Sequence, residues 1–337
     1  MEVKLVKKSL LLGFAVTIII ALLGTGCMRA NAPDDDVPDD TSKKMITVGF
    51  SQLGAESDWR TADTESMKAI FTEENGYKLI FDDARQKQEN QITAIRNFIQ
   101  QEVDYIVLAP VTEKGWDTVL REAKDARIPV IIVDRMIDTA DDSLFTAWVG
   151  SDFREEGDKA VDFMESTFGD RTINIVHIQG TMGSSAQIGR TEALEEGIAQ
   201  NPGWNILLQE TGDFTRAKSK EVMKSALRQF GNINVVYCEN DNEAFGVIEA
   251  IEEAGFTCGL NGDIVIISFD ATNAGLTETL AGKISYDVEC NPLHGPRVEA
   301  IIRQLENGEK PEKLSYVDET AFKASTITRE MIELRTY

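Results

Sequence analysis

The sequence predicts an α/β protein of two doubly wound lobes, each a parallel sheet covered by helices on both faces. Short runs rich in Val and Ile alternate with amphipathic helical segments, which is typical of parallel strands buried on both faces. The same rhythm occurs twice, over two stretches of about 110 residues each. The chain of 337 residues, 42% of them hydrophobic, is long enough to fill two such cores.

The first predicted lobe begins at Met45 and alternates four strands with three helices. In the second helix, Ile92, Ile95 and Phe98 recur at helical spacing, which indicates one buried stripe. The predicted segments are the strand 46–50, the helix 60–74, the strand 77–81, the helix 89–101, the strand 105–109, the helix 115–126 and the strand 129–133.

The second predicted lobe repeats this alternation after residue 152. Its last assigned strand, 264–268, is followed by an apolar run over 284–288 that ends at Glu289. The predicted segments are the helix 156–168, the strand 173–178, the helix 186–199, the strand 206–209, the helix 217–230, the strand 235–238, the helix 243–254 and the strand 264–268.

The first 27 residues differ from the rest of the chain. Three Lys precede an apolar stretch of 14 residues, which is shorter than a membrane span and typical of an export signal. Gly24, Thr25 and Gly26 precede Cys27 as in a bacterial lipobox, where the Cys thiol is lipidated and the peptide is cut before it. We predict a signal peptide over 1–26 and a lipid on Cys27, with an uncleaved membrane anchor as the alternative. Both place the remaining chain outside the cytoplasm.

The chain is acidic, with 34 Lys and Arg against 57 Asp and Glu and a net charge of −23. Removal of residues 1–26 takes away three Lys and one Glu, which leaves −23 − 2 = −25. Residues 27–44 are rich in Asp and Pro and predict a flexible acidic tether. Because phosphate groups bind to a basic face, this charge argues against nucleic acid or an anionic membrane surface as the main partner.

Polar side chains follow the predicted strands where those strands end. Asp134 and Arg135 follow the strand 129–133, and Asp270 comes two residues after the strand 264–268. Ligands of open α/β sheets bind beyond the carboxyl ends of the strands, so these side chains should meet in one crevice. Carboxylates and guanidinium groups hold neighbouring hydroxyls, and aromatic rings stack on sugar rings. The pattern predicts a polyhydroxylated ligand, although helix capping is the favoured role for Asp241 and an equal alternative for Asp270.

Seven segments of the chain carry a family resemblance: GFSQ at 49–52, QKQENQ at 86–91, LAPV at 108–111, VDR at 133–135, QGT at 179–181, GDFTR at 212–216 and SFD at 268–270. They resemble the ribose-binding family of sugar-binding proteins of ABC transporters, the type I periplasmic binding proteins. The resemblance implies two lobes joined by a three-strand hinge that close on one sugar. The first lobe would take residues 45–150 and 290–317, and the second would take 151–289 and 318–337.

The resemblance also implies a sugar pocket built from both lobes. Ribose-type members have Asn and two Phe where this chain has Asp58, Trp59 and Arg60, and they have Gln at the position of Glu289. These departures favour galactofuranose or a related furanose or pentose over ribose. The implied sugar-binding residues are Trp59, Arg60, Arg85 or Gln86, Asp134, Arg135, Arg190, Phe214, Asn240, Asp270 and Glu289.

Catalytic and metal sites are not predicted. The glycine-rich stretch 180–185 lacks the Lys of a P-loop and the third Gly of a dinucleotide turn, and no nucleophile elbow occurs. His177, in an apolar run, is predicted to be a hydrogen-bonded interior residue, and His294 to start a helix. The cysteines lack metal-ligand spacing, so we predict no enzyme activity, cofactor or metal. A disulfide between Cys238 and Cys258 is the alternative to separate buried thiols.

The favoured function is that of a monomeric, lipid-anchored receptor that delivers a monosaccharide to the permease of an ABC importer. The alternative is a sensor that presents a sugar or an autoinducer to a chemoreceptor or a histidine kinase. A sugar-responsive transcription regulator shares the fold, but it would need a basic helix-turn-helix where this chain has a signal and an acidic tether.

Overall fold

The computed structural model describes residues 45–337, whose strands form two six-stranded sheets. The predicted signal peptide, the acidic tether and Cys27 lie outside the described residues. From residue 45 to the end, no helix is long and apolar enough to cross a membrane.

The strands, in chain order, are β1 (Ile46–Gln52), β2 (Tyr77–Asp83), β3 (Tyr105–Leu108), β4 (Val130–Val133), β5 (Ala147–Gly150), β6 (Ile173–Gln179), β7 (Trp204–Thr211), β8 (Val235–Cys238), β9 (Val265–Asp270), β10 (Tyr286–Glu289), β11 (Leu314–Tyr316) and β12 (Ala321–Lys323). The α-helices are α1 (Asp58–Ile70), α2 (Gln88–Gln100), α3 (Asp117–Asp125), α4 (Phe153–Phe168), α5 (Ser185–Gln200), α6 (Arg216–Gln229), α7 (Asp241–Glu253), α8 (Asn273–Leu280), α9 (His294–Glu306) and α10 (Arg329–Glu333).

The two sheets have the same strand order. The first runs β2-β1-β3-β4-β5-β11 and the second runs β7-β6-β8-β9-β10-β12. All pairs are parallel except β10 with β12. In each sheet the chain order reverses at the second strand in the row, β1 or β6, and this switch point opens a crevice beyond the carboxyl ends of the strands.

Apolar clusters cover both faces of each sheet, which confirms the predicted fold class. β3 and β4 are wholly buried, as their unbroken apolar runs predict. The buried stripe of α2 includes Ile95 and Phe98. A Cβ on Gly49 of β1 would lie 2.6 Å from the Phe98 ring, so only glycine lets this helix approach the sheet.

The chain crosses between the sheets three times, and the crossover segments are hydrogen-bonded to one another. They lie at 151–152, at 290–293 and at 317–320. Glu319 of the third segment accepts hydrogen bonds from Ser151 Oγ of the first at 2.7 Å and from Asn291 N of the second at 2.5 Å. One carboxyl group therefore joins all three segments of the hinge.

Candidate functional site

A cavity lies between the two lobes, beyond the carboxyl ends of the strands. The lining residues are Glu56, Ser57, Trp59, Arg60, Asp134, Arg135, Phe153, Ala186, Arg190, Phe214, Asn240, Asp270 and Cys290.

Most of the residues predicted from the sequence come together in this cavity. They extend from the ends of β4, β7, β8 and β9 and from helices α1 and α5. Those that line it are Trp59, Arg60, Asp134, Arg135, Arg190, Phe214, Asn240 and Asp270.

Three predicted residues lie elsewhere. Arg85 and Gln86 are exposed on the turn after β2 and do not line the cavity. Glu289 is at the hinge, where its carboxylate pairs with Arg335 at 2.5 Å and accepts a hydrogen bond from Tyr337 Oη at 2.9 Å. Burial would raise the pKa of Glu289, but Arg335 holds it below its ordinary value.

The assignment of helix capping is wrong for both Asp241 and Asp270. The N-cap of α7 is Asn240, whose Oδ1 accepts from Glu243 N at 2.8 Å, and the N-cap of α8 is Thr272. Asp270 ends β9 and is free to face the cavity.

Four charged side chains of the first lobe form a network at one end of the cavity. Arg60 Nη2 lies 2.5 Å from Asp134 Oδ2, and Arg60 Nε lies 3.2 Å from Glu56 Oε1. Arg135 donates to the carbonyl oxygen of Val111 at 2.9 Å and lies 3.6 Å from Glu56 Oε1. The guanidinium groups are therefore held in fixed positions by carboxylates that face the same space.

The pKa values of these groups follow from burial and from their neighbours. Burial would lower the pKa of Arg60, but the carboxylates of Asp134, Glu56 and Asp63 raise it above its ordinary value. Burial, followed by the charge of Arg60, lowers the pKa of Arg135 to about 10. Burial would raise the pKa of Asp134, but Arg60 and Arg135 hold it below its ordinary value. Both arginines and Asp134 are thus charged at neutral pH.

Arg190 is the corresponding cation of the second lobe. Its Nε donates to Glu156 Oε2 at 2.7 Å, its Nη1 donates to the carbonyl oxygen of Glu239, and its Nη2 lies 3.9 Å from Asp270 Oδ1. Burial would lower the pKa of Arg190, but Glu156 and Asp270 are among the groups that raise it well above its ordinary value. Glu156, which sequence reasoning missed, orients this arginine towards the cavity.

Aromatic rings form the apolar walls of the cavity. Trp59 Nε1 donates to the carbonyl oxygen of Cys290 at 2.6 Å, which fixes the indole against the hinge. The guanidinium carbon of Arg135 lies 5.1 Å from the centroid of Phe214. Trp59, Phe153 and Phe214 belong to one buried cluster. These faces are suited to the C–H surface of a sugar ring.

The backbone is strained at three residues whose side chains line the cavity. Asp134, Phe214 and Asp270 have φ of 60°, 61° and 107°, a region that non-glycine residues rarely occupy. Such strain persists only where the surroundings hold it, and it concentrates at binding sites.

Several buried polar atoms around the cavity have no hydrogen-bond partner among the described residues. Native proteins leave few such atoms, because each costs the desolvation energy of the group. The hydroxyls of a ligand would supply partners of the required kind. The unpartnered atoms are Glu56 Oε2, Arg135 Nε, Glu156 Oε1 and Asp270 Oδ2.

The lobes are closed over the cavity. Asp58 N donates to Asn242 Oδ1 at 3.0 Å, and Met136 N donates to Ser185 Oγ at 2.8 Å, each across the two lobes. All charged lining side chains are almost wholly buried as a result.

Both histidines lie behind the cavity walls. His177 Nε2 is 2.9 Å from Glu239 Oε1, and His294, the first residue of α9, has Nδ1 2.9 Å from Asp63 Oδ1. The predictions for both histidines are therefore confirmed. The three cysteines among residues 45–337 are free thiols, so the structure contains no Cys238–Cys258 disulfide.

The glutamate that the strand-end rule missed, Glu56, carries a detectable signal in the sequence. It precedes Arg60 by four residues at the start of α1, which is the spacing of a helical ion pair. Phe153 and Cys290 reach the cavity from crossover positions, which sequence spacing alone does not place there.

Comparison with known proteins places this architecture in a family. A family model described as a periplasmic binding protein domain matches residues 48–294. The galactofuranose-binding protein YtfQ of Escherichia coli (strain K12) is 40% identical over 290 residues, which cover 85% of this chain and 90% of that protein.

Two solved structures are similar in both sequence and fold. The periplasmic binding protein component of an arabinose ABC transporter from Shewanella sp. ANA-3, bound to α- and β-L-arabinofuranose, is 42% identical with a TM-score of 0.81 over 86% of this chain and 96% of that one. A structure from Mycobacterium smegmatis in complex with β-D-fucofuranose is 43% identical with a TM-score of 0.80 over 83% of this chain and 92% of that one. The predicted family resemblance is confirmed.

Proposed function

This chain belongs to the periplasmic binding protein domain family, and from that premise we propose that it captures a neutral furanose sugar between its lobes and delivers it to an ABC importer. Its relatives are binding proteins, which confirms the prediction that it is not an enzyme. The observation that carries the proposal is a closed cavity lined by buried groups of both charges, with polar atoms that lack partners.

The formal charges of the lining residues cancel, which favours a neutral ligand. A sugar phosphate or an amino acid would add a charge to a buried site that has no free counter-ion, at a cost that burial makes large. A neutral sugar makes charge-assisted hydrogen bonds to both signs. The charged lining residues are the cations Arg60, Arg135 and Arg190 and the carboxyl groups of Glu56, Asp134 and Asp270.

The furanose ring is supported by the three relatives, each of which is named for or bound to a furanose or an arabinose-type sugar. We propose galactofuranose or a related furanose as the ligand. The proposed contacts are Trp59, Phe153 and Phe214 against the ring, and Glu56, Arg60, Asp134, Arg135, Arg190, Asn240 and Asp270 on the hydroxyls.

Closure of the lobes is the proposed mechanism of capture. The first lobe supplies one set of charged groups and the second lobe supplies Arg190, Asn240 and Asp270, so only the closed form completes the hydrogen bonds of the sugar. A ligand shifts such an equilibrium by its preference for the closed state. The closed form would then be the one that the permease accepts.

Cys27 is the proposed site of lipidation, which would hold the protein at the outer side of the membrane. The support is the lipobox-like sequence before it. Expression with a radiolabelled fatty acid should label the chain, and Cys27→Ser should abolish the label. An unlabelled wild-type chain would contradict the anchor without affecting the sugar site.

The sugar site is tested by calorimetric titration of the full chain in a detergent without a sugar headgroup. Galactofuranose, arabinofuranose, fucofuranose, ribose and galactopyranose are compared, and at least one furanose should bind more tightly than galactopyranose. Arg190→Ala should weaken binding by more than about 1.5 kcal/mol, the scale of a charged hydrogen bond. Arg154→Ala, an exposed arginine of α4, is the matched control. No binding of any furanose would overturn the proposal.

A further inference from the structure

Asp270 reaches the cavity from an unusual turn. Asp270 and Ala271 are consecutive residues with φ of 107° and 50°, and neither is glycine. Each such conformation costs energy unless the surrounding structure imposes it. The direction in which the Asp270 carboxyl group points therefore depends on the contacts that hold this turn.

Two buried carboxyl groups accept hydrogen bonds from residues of this turn. Asp287 of β10 accepts a hydrogen bond from Ala271 N at 3.1 Å. Asp241 of α7 accepts from Thr272 N at 2.9 Å and from Thr272 Oγ1 at 2.7 Å. Both aspartates are fully buried, and neither lines the cavity.

The carboxyl groups of Asp241 and Asp287 also interact with each other, since the charge of Asp241 is among the causes that raise the pKa of Asp287. Asp241 accepts a further hydrogen bond from Ser268 Oγ at 2.7 Å. Asp287 Oδ2 has no hydrogen-bond partner among the described residues. Burial raises the pKa of Asp241 to about 6 and raises that of Asp287 well above its ordinary value.

Neighbouring residues pack closely around the carboxyl groups of Asp241 and Asp287. A Cβ on Gly275 of α8 would lie 2.0 Å from Asp241 Oδ2, so a glycine is needed where α8 passes the carboxylate. On the sheet side, Asp287 lies beside Ser268 of β9 and Phe322 of β12 in the strand register.

We propose that Asp287 and Asp241 are positioning residues for the ligand: by accepting hydrogen bonds from Ala271 and Thr272, they hold the turn from Asp270 to Thr272 in the conformation that points Asp270 into the cavity. The inference rests on the proposed sugar-binding function. It assigns a role in affinity to two carboxyl groups that do not touch the ligand.

Substitutions of Asp287 separate this role from simple packing. In Asp287→Asn, the side-chain oxygen can still accept from Ala271 N, so binding should stay within about threefold of wild type. Asp287→Ala removes this hydrogen bond and should weaken furanose binding about tenfold, the scale of one charged hydrogen bond. Ser285→Ala, a buried residue just before β10 whose hydroxyl has no partner, is the control and should bind as wild type.

The pH dependence of binding gives a second readout, which needs only wild type and Asp287→Asn. The titratable groups facing Asp287 are Asp241 and Asp270, while Cys238 and Glu243 face Asp241 from the β8–α7 side. As the pH rises above neutral, ionisation of Asp287 puts a second anion beside Asp241 and should weaken wild-type binding. Asp287→Asn retains every other titratable group but cannot ionise at this position, so its affinity should fall less.

The outcomes distinguish this inference from the proposed function. Wild type that binds no furanose overturns the proposed function, and with it the premise here. Wild type that binds, with alanine and asparagine variants equal in affinity and parallel pH profiles, overturns the positioning role alone. Rescue by asparagine together with a flatter pH profile supports it. If the alanine variant does not fold, the pH comparison decides.

Discussion

At the residue scale, the strand-end rule located most of the candidate site. It worked because the carboxyl ends of parallel strands meet at one edge of a sheet, so Asp134, Asn240 and Asp270 converge although they are far apart in sequence. The family resemblance, and not this rule, predicted Arg85 and Gln86, which are exposed and lie outside the cavity. The rule missed Glu56 and Glu156, which lie near helix starts and pair with Arg60 and Arg190.

Substitution of Glu56 tests whether the unpartnered polar atoms around the cavity bind the ligand. Its Oε2 has no partner while its Oε1 lies 3.2 Å from Arg60 Nε. Glu56→Gln keeps the shape but removes the charge, so sugar binding should weaken by about 1.5 kcal/mol, or roughly tenfold. Calorimetry measures the effect, with Glu73→Gln on the exposed surface as the control. An unchanged affinity would mean that Glu56 does not contact the ligand.

Substitution of Gly180 tests how closely the Phe214 ring packs at the wall of the cavity. A Cβ at this position would lie 2.0 Å from the Phe214 ring, so Gly180→Ala must displace that ring from the cavity. We expect a loss of stability of about 1–3 kcal/mol and weaker sugar binding. Gly231→Ala is the matched control, because nothing lies within 4 Å of its added methyl group. Denaturant titration and calorimetry measure the two effects, and equal behaviour of both variants would contradict the proposed packing.

At the element scale, the sequence predicted the buried strands well and the edges poorly. Unbroken apolar runs identify β3, β4 and β8, since both of their faces are covered. β7 extends over Trp204–Thr211 rather than 206–209, because an edge strand is only partly buried and its pattern fades at the ends. β11 and β12 have three residues each and are only partly buried, and segments this short give no recognisable pattern.

The start of α5 gives an element-scale prediction. Ser184 is its N-cap, and its Oγ accepts from Gln187 N at 3.3 Å at the helix that carries Arg190. Ser184→Ala should lower the free energy of unfolding by about 1 kcal/mol, whereas Ser184→Gly should cost only a few tenths. Urea denaturation followed by circular dichroism distinguishes them. An alanine variant as stable as wild type would show that the cap does not stabilise α5.

At the scale of the whole molecule, the two lobes are joined by three crossovers whose mutual contacts no local pattern predicts. Ser151 is 168 residues from Glu319 and Asn291 is 28 residues from it, yet the Glu319 carboxyl group receives hydrogen bonds from both. Such contacts follow from the topology of the folded chain, so they became visible only once the strand order was known.

Glu319 makes the stability of the whole protein depend on pH. Burial, followed by the charge of Glu156, raises the pKa of Glu319 from 4.5 to about 9. The folded state therefore holds a proton that the unfolded state releases between these values, and stability falls as the pH rises through this window. Glu319→Gln cannot ionise at this position. The difference between its urea unfolding midpoint and that of wild type should therefore grow in favour of the variant from about pH 5 to about pH 9 and then level off. Glu312→Gln, exposed just before β11, should show a constant difference. A constant difference for Glu319→Gln as well would mean that the hinge carboxyl group is ionised in the folded protein.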